Sequence, residues 1–441
     1  MSIARVVCYF WAVQPIFGWS ALATAESWPQ WRGPTGQGLA TARGLPVRWS
    51  ETESVAWKTD IPGRGWSSPV VENGQVWMTT AIDEPASKED AQRRQKTSGQ
   101  PLTVSAFVSL RAVSVDLKTG QRLRDIEVMT QREPQPTHVQ NTYATPTPVL
   151  EQGRLYCHYG TYGTGCVDTR NGKVLWTNRK LHVDHEVGPG SSPVLCQDML
   201  IVHCDGRDLQ YVAALDAGTG QLVWKVDRSG KLRDEPKSRK AYSTPLMVEV
   251  HGQPQLISPG ADWLYAYDPA SGRELWKVNY GVLGFSNAPR PVAGHGMIYS
   301  CTGYMKSELL AIRVDLEGGL QRPQLLWRFK KQVPNISSPL LVGNEIYFVS
   351  DNGVATCVDA HRGHSHWVQR LGGKYSASPM YGDGHIYFFD RDGVTTVIEP
   401  GKEFKQLSVN RLDGSFMASA AAVDGALLLR SDKALYRLQT N

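Results

Sequence analysis

Apolar and polar residues alternate with a period of two through most of this 441-residue chain, in short runs broken by Gly, Asn, Asp and Pro. That period predicts β-strands rather than helices. One pattern recurs as CVDTRNGKVLW (166–176), ALDAGTGQLVW (214–224), AYDPASGRELW (266–276) and CVDAHRGHSHW (357–367). Each copy reads as an apolar strand, an Asp-x-x-x-Gly turn and a second strand ending in Trp. Gly supplies the positive φ of a tight turn, and Asp accepts hydrogen bonds from the turn backbone. The pattern predicts a β-hairpin.

A second pattern precedes each hairpin: SSPVVENGQVWMTT from Ser67, TPVLEQGRLYC from Thr147, SSPVLCQDMLIV from Ser191, RPVAGHGMIYS from Arg290, SSPLLVGNEIYF from Ser337 and ASPMYGDGHIYFF from Ala377. It reads as two more strands about a Gly, Asn or Asp turn. Four antiparallel strands per repeat follow. Taking Pro69, Pro148, Pro193, Pro245, Pro291, Pro339, Pro379 and Ala420 as equivalent gives eight repeats, spaced mostly 40 to 52 residues apart. A period of that size is typical of propeller blades. The predicted fold is therefore all-β: an eight-bladed β-propeller of four-stranded antiparallel blades, spanning 54–441 after an N-terminal extension (26–53), with an insertion at about 82–107.

The last repeat supplies strands near 416–423, 426–430 and 434–438 but no Trp strand. SVAWKTDI (54–61) has the Trp strand without a preceding hairpin. The two ends together are predicted to make blade eight, which removes exposed strand edges that would otherwise pair with other chains.

The Asp-x-x-x-Gly-x-x-x-Trp pattern resembles the tryptophan-docking motif of the pyrroloquinoline-quinone-like repeat β-propellers. WPQWRGPTGQG followed by AWKTDIPGRGWSSPVV is similar to periplasmic, planctomycete-type members related to the outer-membrane β-barrel assembly propeller scaffold. The resemblance covers roughly 54–440. It implies that Trp57, Trp176, Trp224, Trp276, Trp327 and Trp367 are docking residues packed between neighbouring blades. Arg124 replaces Trp in blade one, and blade seven (VIEPGKEF) has lost it. The founding members are quinone-dependent alcohol dehydrogenases, so a quinoprotein oxidoreductase acting on alcohols or sugars, with pyrroloquinoline quinone and calcium, is the alternative function. Against it, no two cysteines are adjacent and no C-x-x-C-H is present, whereas those enzymes carry a vicinal Cys pair over the quinone. The resemblance favours a binding or scaffold role.

Before Glu26 the charged side chain is Arg5, an apolar stretch runs from Val6 to Trp19, and Ala23-Thr24-Ala25 offers a small-residue cleavage site. These features predict a signal peptide cleaved near Ala25, hence a periplasmic or secreted protein without a membrane span. The net charge of +5 is dispersed and gives no support to nucleic-acid binding. A monomer is expected, with an envelope protein or small ligand as partner. Cys157 and Cys166 flank one hairpin tip, which leaves open a disulfide or buried free thiols.

Loops between blades, and between each blade's second and third strands, should open on one face, with the Asp-Gly turns on the other. The loop face collects Trp66, the 82–107 insertion, His138, Asn141, Tyr143, His158, Tyr162, His182, Asp184, His185, Glu186, His203, Asp205, Arg207, Asp208, Trp263, Asn287 and Arg290, and is the expected binding face. Its densest cluster joins HVDHE (182–186) with HCDGRD (203–208), two loops of one blade. His182, His185, His203 and Asp205 there have the chemistry of a transition-metal site or a general acid and base. The alternative is a set of polar residues tying blades together by hydrogen bonds.

Overall fold

The computed structural model describes residues 26–95, 99–317 and 320–440; the expected export segment lies outside them. Eight four-stranded antiparallel sheets form the blades of a propeller, at 70–132, 149–178, 194–227, 246–279, 292–329, 340–370, 380–411 and 421–439. Within blades one to seven the strands follow chain order across the sheet. Blade eight takes its fourth strand from Val55–Asp60, paired antiparallel with Ala434–Gln439 so that Trp57 lies opposite Arg437. The ring thus closes as the sequence predicts, and hydrogen bonds rather than an open edge join the two ends.

The docking tryptophans explain how the blades hold one another. A small residue lies opposite five of these rings in their own blades: Cys166 opposite Trp176, Ala214 opposite Trp224, Ala266 opposite Trp276, Ala311 opposite Trp327, Cys357 opposite Trp367. The indole N–H then reaches a backbone carbonyl of the next blade: Trp57 to Leu117, Trp176 to Ala217, Trp224 to Pro269, Trp327 to Ala360 and Trp367 to Gly401, at 3.0–3.2 Å. The rings of Trp57, Trp176, Trp224 and Trp327 lie on the turn glycines Gly120, Gly220, Gly272 and Gly363. A Cβ on Gly220, whose φ is +73°, would come within 2.4 Å of Trp176, so both the turn and the contact require glycine.

Two junctions depart from this scheme. Arg124 stands in for the blade-one Trp and still donates to the next blade, at the Arg170 carbonyl. Trp276 donates instead to Gln255 Oε1 of its own blade, 2.9 Å away. Its ring packs on Ile298, Leu310, Ile312 and Val314 of blade five, whose hairpin is lengthened beyond the usual turn.

A belt of hydroxyls ties the innermost strands together around the axis. The amide of Ser68 donates to Thr147 Oγ1, Thr147 to Ser192, Ser192 to Thr244, Arg290 to Ser338, Ser338 to Ser378 and Ser378 to Ser419, at 2.9–3.0 Å. This accounts for the Ser or Thr that precedes the opening proline of nearly every repeat. Each of these six buried N–H groups finds its acceptor one blade on.

The extension (26–53) is a strap across this ring rather than a tail. Trp28 pairs with Val71 of blade one, the Pro29 carbonyl accepts from Leu150 of blade two, and Arg32 Nη2 donates to Pro339 O of blade six. Arg290 Nη1 donates to Trp31 O, and Ala40 and Gly38 bond Tyr381 of blade seven. The strap then seats Trp49 between blades seven and eight, where its amide donates to Asn410 Oδ1 at 3.0 Å.

Two sequence-level alternatives are decided by register. Cys157 lies opposite Gly165, and Cys166 opposite Tyr156, so the cysteines point to opposite faces of the sheet and stay free, each in a different core cluster. The 82–107 insertion lengthens two strands, Gln75–Pro85 and Ser105–Asp116, and carries a helix, Lys88–Gln95, and a strand, Leu102–Thr103, that pairs with Thr137–His138. Among the described residues, no helix is long and apolar enough to cross a membrane.

Candidate functional site

The loop face opens into a funnel of about 630 Å³ on the axis. Its floor is the hydroxyl belt (Ser68, Thr147, Ser192, Thr244, Ser419) together with Trp31 of the strap, whose indole donates to Ser419 Oγ at 3.3 Å. Trp66, Tyr242, Phe285, Tyr304, Ile336 and Met417 supply apolar wall. His138, Glu186, Lys237, Lys240, Asp351 and Arg391 supply charge and hydrogen-bonding groups. Beside it, a two-stranded ribbon, Gly284–Phe285 with Tyr304–Met305, leaves Tyr304 57% and Met305 64% exposed, with Val282 nearby at 71%. Apolar side chains grouped at the mouth of a polar-floored cavity are a feature of interaction sites.

The residues expected on the binding face divide between this funnel and the protein interior. Trp66, His138 and Glu186 line the funnel. Trp66 Nε1 donates to Gln140 O at 3.0 Å, and His138 Nδ1 accepts from the Gln140 amide. Burial, and then the positive charge of Arg391, lower the His138 pKa. Glu186 pairs with Lys240. Trp263 is half-buried and donates to Lys231 O at 3.1 Å. Arg290, expected on the face, is instead buried on the axis between Pro245 O and Trp31 O, because its long side chain fills the space the strap crosses.

The loops at 182–186 and 203–208 do meet. Arg207 bonds Asp184 Oδ2, and Asp208 Oδ1 accepts the Asp184 amide at 2.7 Å. Several ring nitrogens there are engaged by the protein, while His185 Nδ1 is buried without a hydrogen-bond partner. His185 Nε2 accepts the Thr161 amide at 3.0 Å, and Tyr242 donates to the His185 carbonyl at 2.6 Å. His158 pairs with Thr164 Oγ1 at 2.8 Å. His203 Nε2 lies 2.9 Å from Asp205, and Asp205 is bound in turn by Arg228 Nε at 3.1 Å. Arg228 completes its bonds with Ser258 and Tyr267 and lies 4.7 Å over the Tyr265 ring. His182 is exposed, with its carbonyl held by Tyr211. The four residues singled out as metal ligands do not gather their ligand atoms; among the described residues the group that does, Asp359 with His364 and His366, lies on the other face.

Burial dominates the electrostatics of this cluster. It pushes the His158 pKa down to about 3, helped by His185 and His203. It pushes His185 down to about 4, against the pull of Asp184 and Asp208. Burial likewise lowers His203, against Asp205 and with Arg228. Buried neutral imidazoles and a satisfied Asp–Arg pair tie blades two, three and four together. Arg228 was not legible in the sequence, since nothing in WKVDRSG signals a partner lying in the neighbouring loop.

Three matching segments, 35–226, 208–321 and 315–415, align the chain with the family of the outer membrane protein assembly factor BamB. The chain belongs to that family. Among solved structures it is similar to BamB from Moraxella catarrhalis, at 14% identity over 82% of this chain and 99% of that one, with a TM-score of 0.52. The quinohemoprotein alcohol dehydrogenase of Comamonas testosteroni matches at 10% identity over 93% of this chain and 80% of that one, with a TM-score of 0.56. Identities this low show the fold alone. The quinohemoprotein alcohol dehydrogenase ADH-IIG of Pseudomonas putida is 26% identical over 163 residues, 34% of this chain, which spans 21% of that relative.

The funnel residues fit a quinone cofactor poorly. The described cysteines all lie on blade strands and none lines the funnel, so nothing supplies the vicinal pair implied by the resemblance to quinoproteins. The funnel carboxylates are also engaged: Glu186 by Lys240, and Asp351 by Asn335 at 2.6 Å.

Proposed function

We propose that this chain is an exported, monomeric binding scaffold whose loop-face funnel docks an envelope protein partner. The carrying observation is the join between the funnel and its exposed apolar border at Val282, Tyr304 and Met305. Water-exposed apolar side chains of this size are costly unless something covers them, and a rigid propeller positions them without further ordering cost. Membership of the BamB family supports a protein partner over a small substrate.

The test is affinity capture by the full chain from a native envelope fraction, compared with a Tyr304→Asp, Met305→Asp variant. Both residues are exposed, so the variant should melt like the parent yet lose the captured protein. Equal capture would sink the reading. The dehydrogenase similarity sets the competing outcome: dye reduction with alcohols or sugars, after reconstitution with calcium and pyrroloquinoline quinone, would replace a scaffold by an enzyme.

A further inference from the structure

We propose that the turn joining the third and fourth strands of blade six binds a divalent transition-metal ion of the Zn²⁺ type through Asp359, His364 and His366. One ligand atom from each lies within 4.8 Å of the other two. Two imidazoles and one carboxylate form the donor set that zinc and its neighbours favour, with a position left open for water.

The same turn recurs round the propeller, which isolates what is different here. The positions of His364 and His366 are Gln121 and Leu123 in blade one, Lys173 and Leu175 in blade two, Gln221 and Val223 in blade three, and Arg273 and Leu275 in blade four. A polar residue followed by an aliphatic one is thus the structural norm, and blade six puts imidazoles at both places.

The ligands are also free to act. The amides of His361 and Arg362 donate to Asp359 Oδ1 at 2.9 and 2.8 Å, which fixes the carboxylate and leaves Oδ2 without a protein donor. In blade two the corresponding Asp168 Oδ2 is taken by Arg170 and Asn171. His366 Nε2 is buried without any hydrogen-bond partner, a costly condition that a metal would relieve. His364 lies against it, with ring centroids 5.2 Å apart, and is exposed, giving an ion a path in from solvent. The nearby His361 ring lies instead against His295, with centroids 4.7 Å apart and planes tilted by 47°.

Untagged, metal-stripped full chain titrated with Zn²⁺ by calorimetry should bind about one equivalent at these residues. His364→Ala with His366→Ala should lower the affinity on the order of 100-fold, at least as much as loss of an outer partner costs at known sites. His364→Gln, confined to the exposed ligand, should also weaken binding and guards against misfolding of the double variant. A His295→Ala, His361→Ala pair should bind like the parent. No binding at millimolar Zn²⁺, or equal affinity in the parent and the His364, His366 variants, would overturn the assignment.

Discussion

Trp49 of the strap stacks on Tyr387 of blade seven, ring centroids 6.3 Å apart and planes at 25°. Tyr387 occupies the place of Tyr156, Tyr299 and Tyr347, which face Trp176, Trp327 and Trp367 at 5.9–6.2 Å in their own blades. In blade seven the docking position is Ser408, opposite Val397, and it is too small to reach the next blade. Trp49 fills that vacancy from a distant part of the chain, with Ser408 and Asn410 bonding the Val47 carbonyl to hold it there. Trp49→Ala should therefore cost roughly 3–5 kcal/mol, as large aromatic truncations in cores do, and as much as Trp224→Ala. Denaturant unfolding of the two variants checks this; a cost near that of a surface substitution would refute the replacement.

Closure of the ring gives a second expectation. Removing residues 26–61 takes away the outer strand of blade eight, the Trp57 contact on Gly120 and the strap's bonds to several blades. Thermal unfolding should move to lower temperature and lose cooperativity, with association through the bared edge of Ala434–Gln439. An unchanged melt would show that the ring does not depend on these residues.

The buried pair in blade three should respond strongly to loss of one partner. Asp205→Asn leaves the Arg228 guanidinium buried without its carboxylate, a change of about 3–5 kcal/mol. Adding Arg228→Met should recover part of that loss, because the stranded charge is gone. A double-mutant cycle with strictly additive costs would show that the two groups do not interact.

Acid should weaken the fold through its buried imidazoles. His158, held near 3, and His185, held near 4, are neutral in the native state well below the unfolded value of about 6.5. Between those limits the unfolded chain binds more protons. Their contribution is complete above about pH 6.5 and falls with pH, at up to about 1.4 kcal/mol per pH unit for each histidine. Denaturant titrations at pH 7.5 and 5.5 should show this loss, and His185→Gln should flatten it. A pH-independent midpoint in the parent would count against buried neutral histidines.

By itself the sequence determined the parts of this molecule written in short-range periodicity. Strands, Asp-Gly turns, the eight repeats and the displaced Trp strand at 54–61 were legible because each depends on residues within about a dozen positions of one another. The docking glycines were legible for the same reason, since Gly220 and Gly272 are demanded both by their own turns and by the tryptophan that lies on them. Tertiary structure alone decided which side chains meet. The register that parts Cys157 from Cys166, the strap that brings Trp49 to Tyr387 and Trp31 to the funnel floor, and Arg228 beside Asp205 all follow from ring closure. So does the difference between His185, sealed in the interior, and His364, open to solvent. Both are histidines in polar loops. Their chemistry separates only when neighbouring blades remove water from one and leave it around the other.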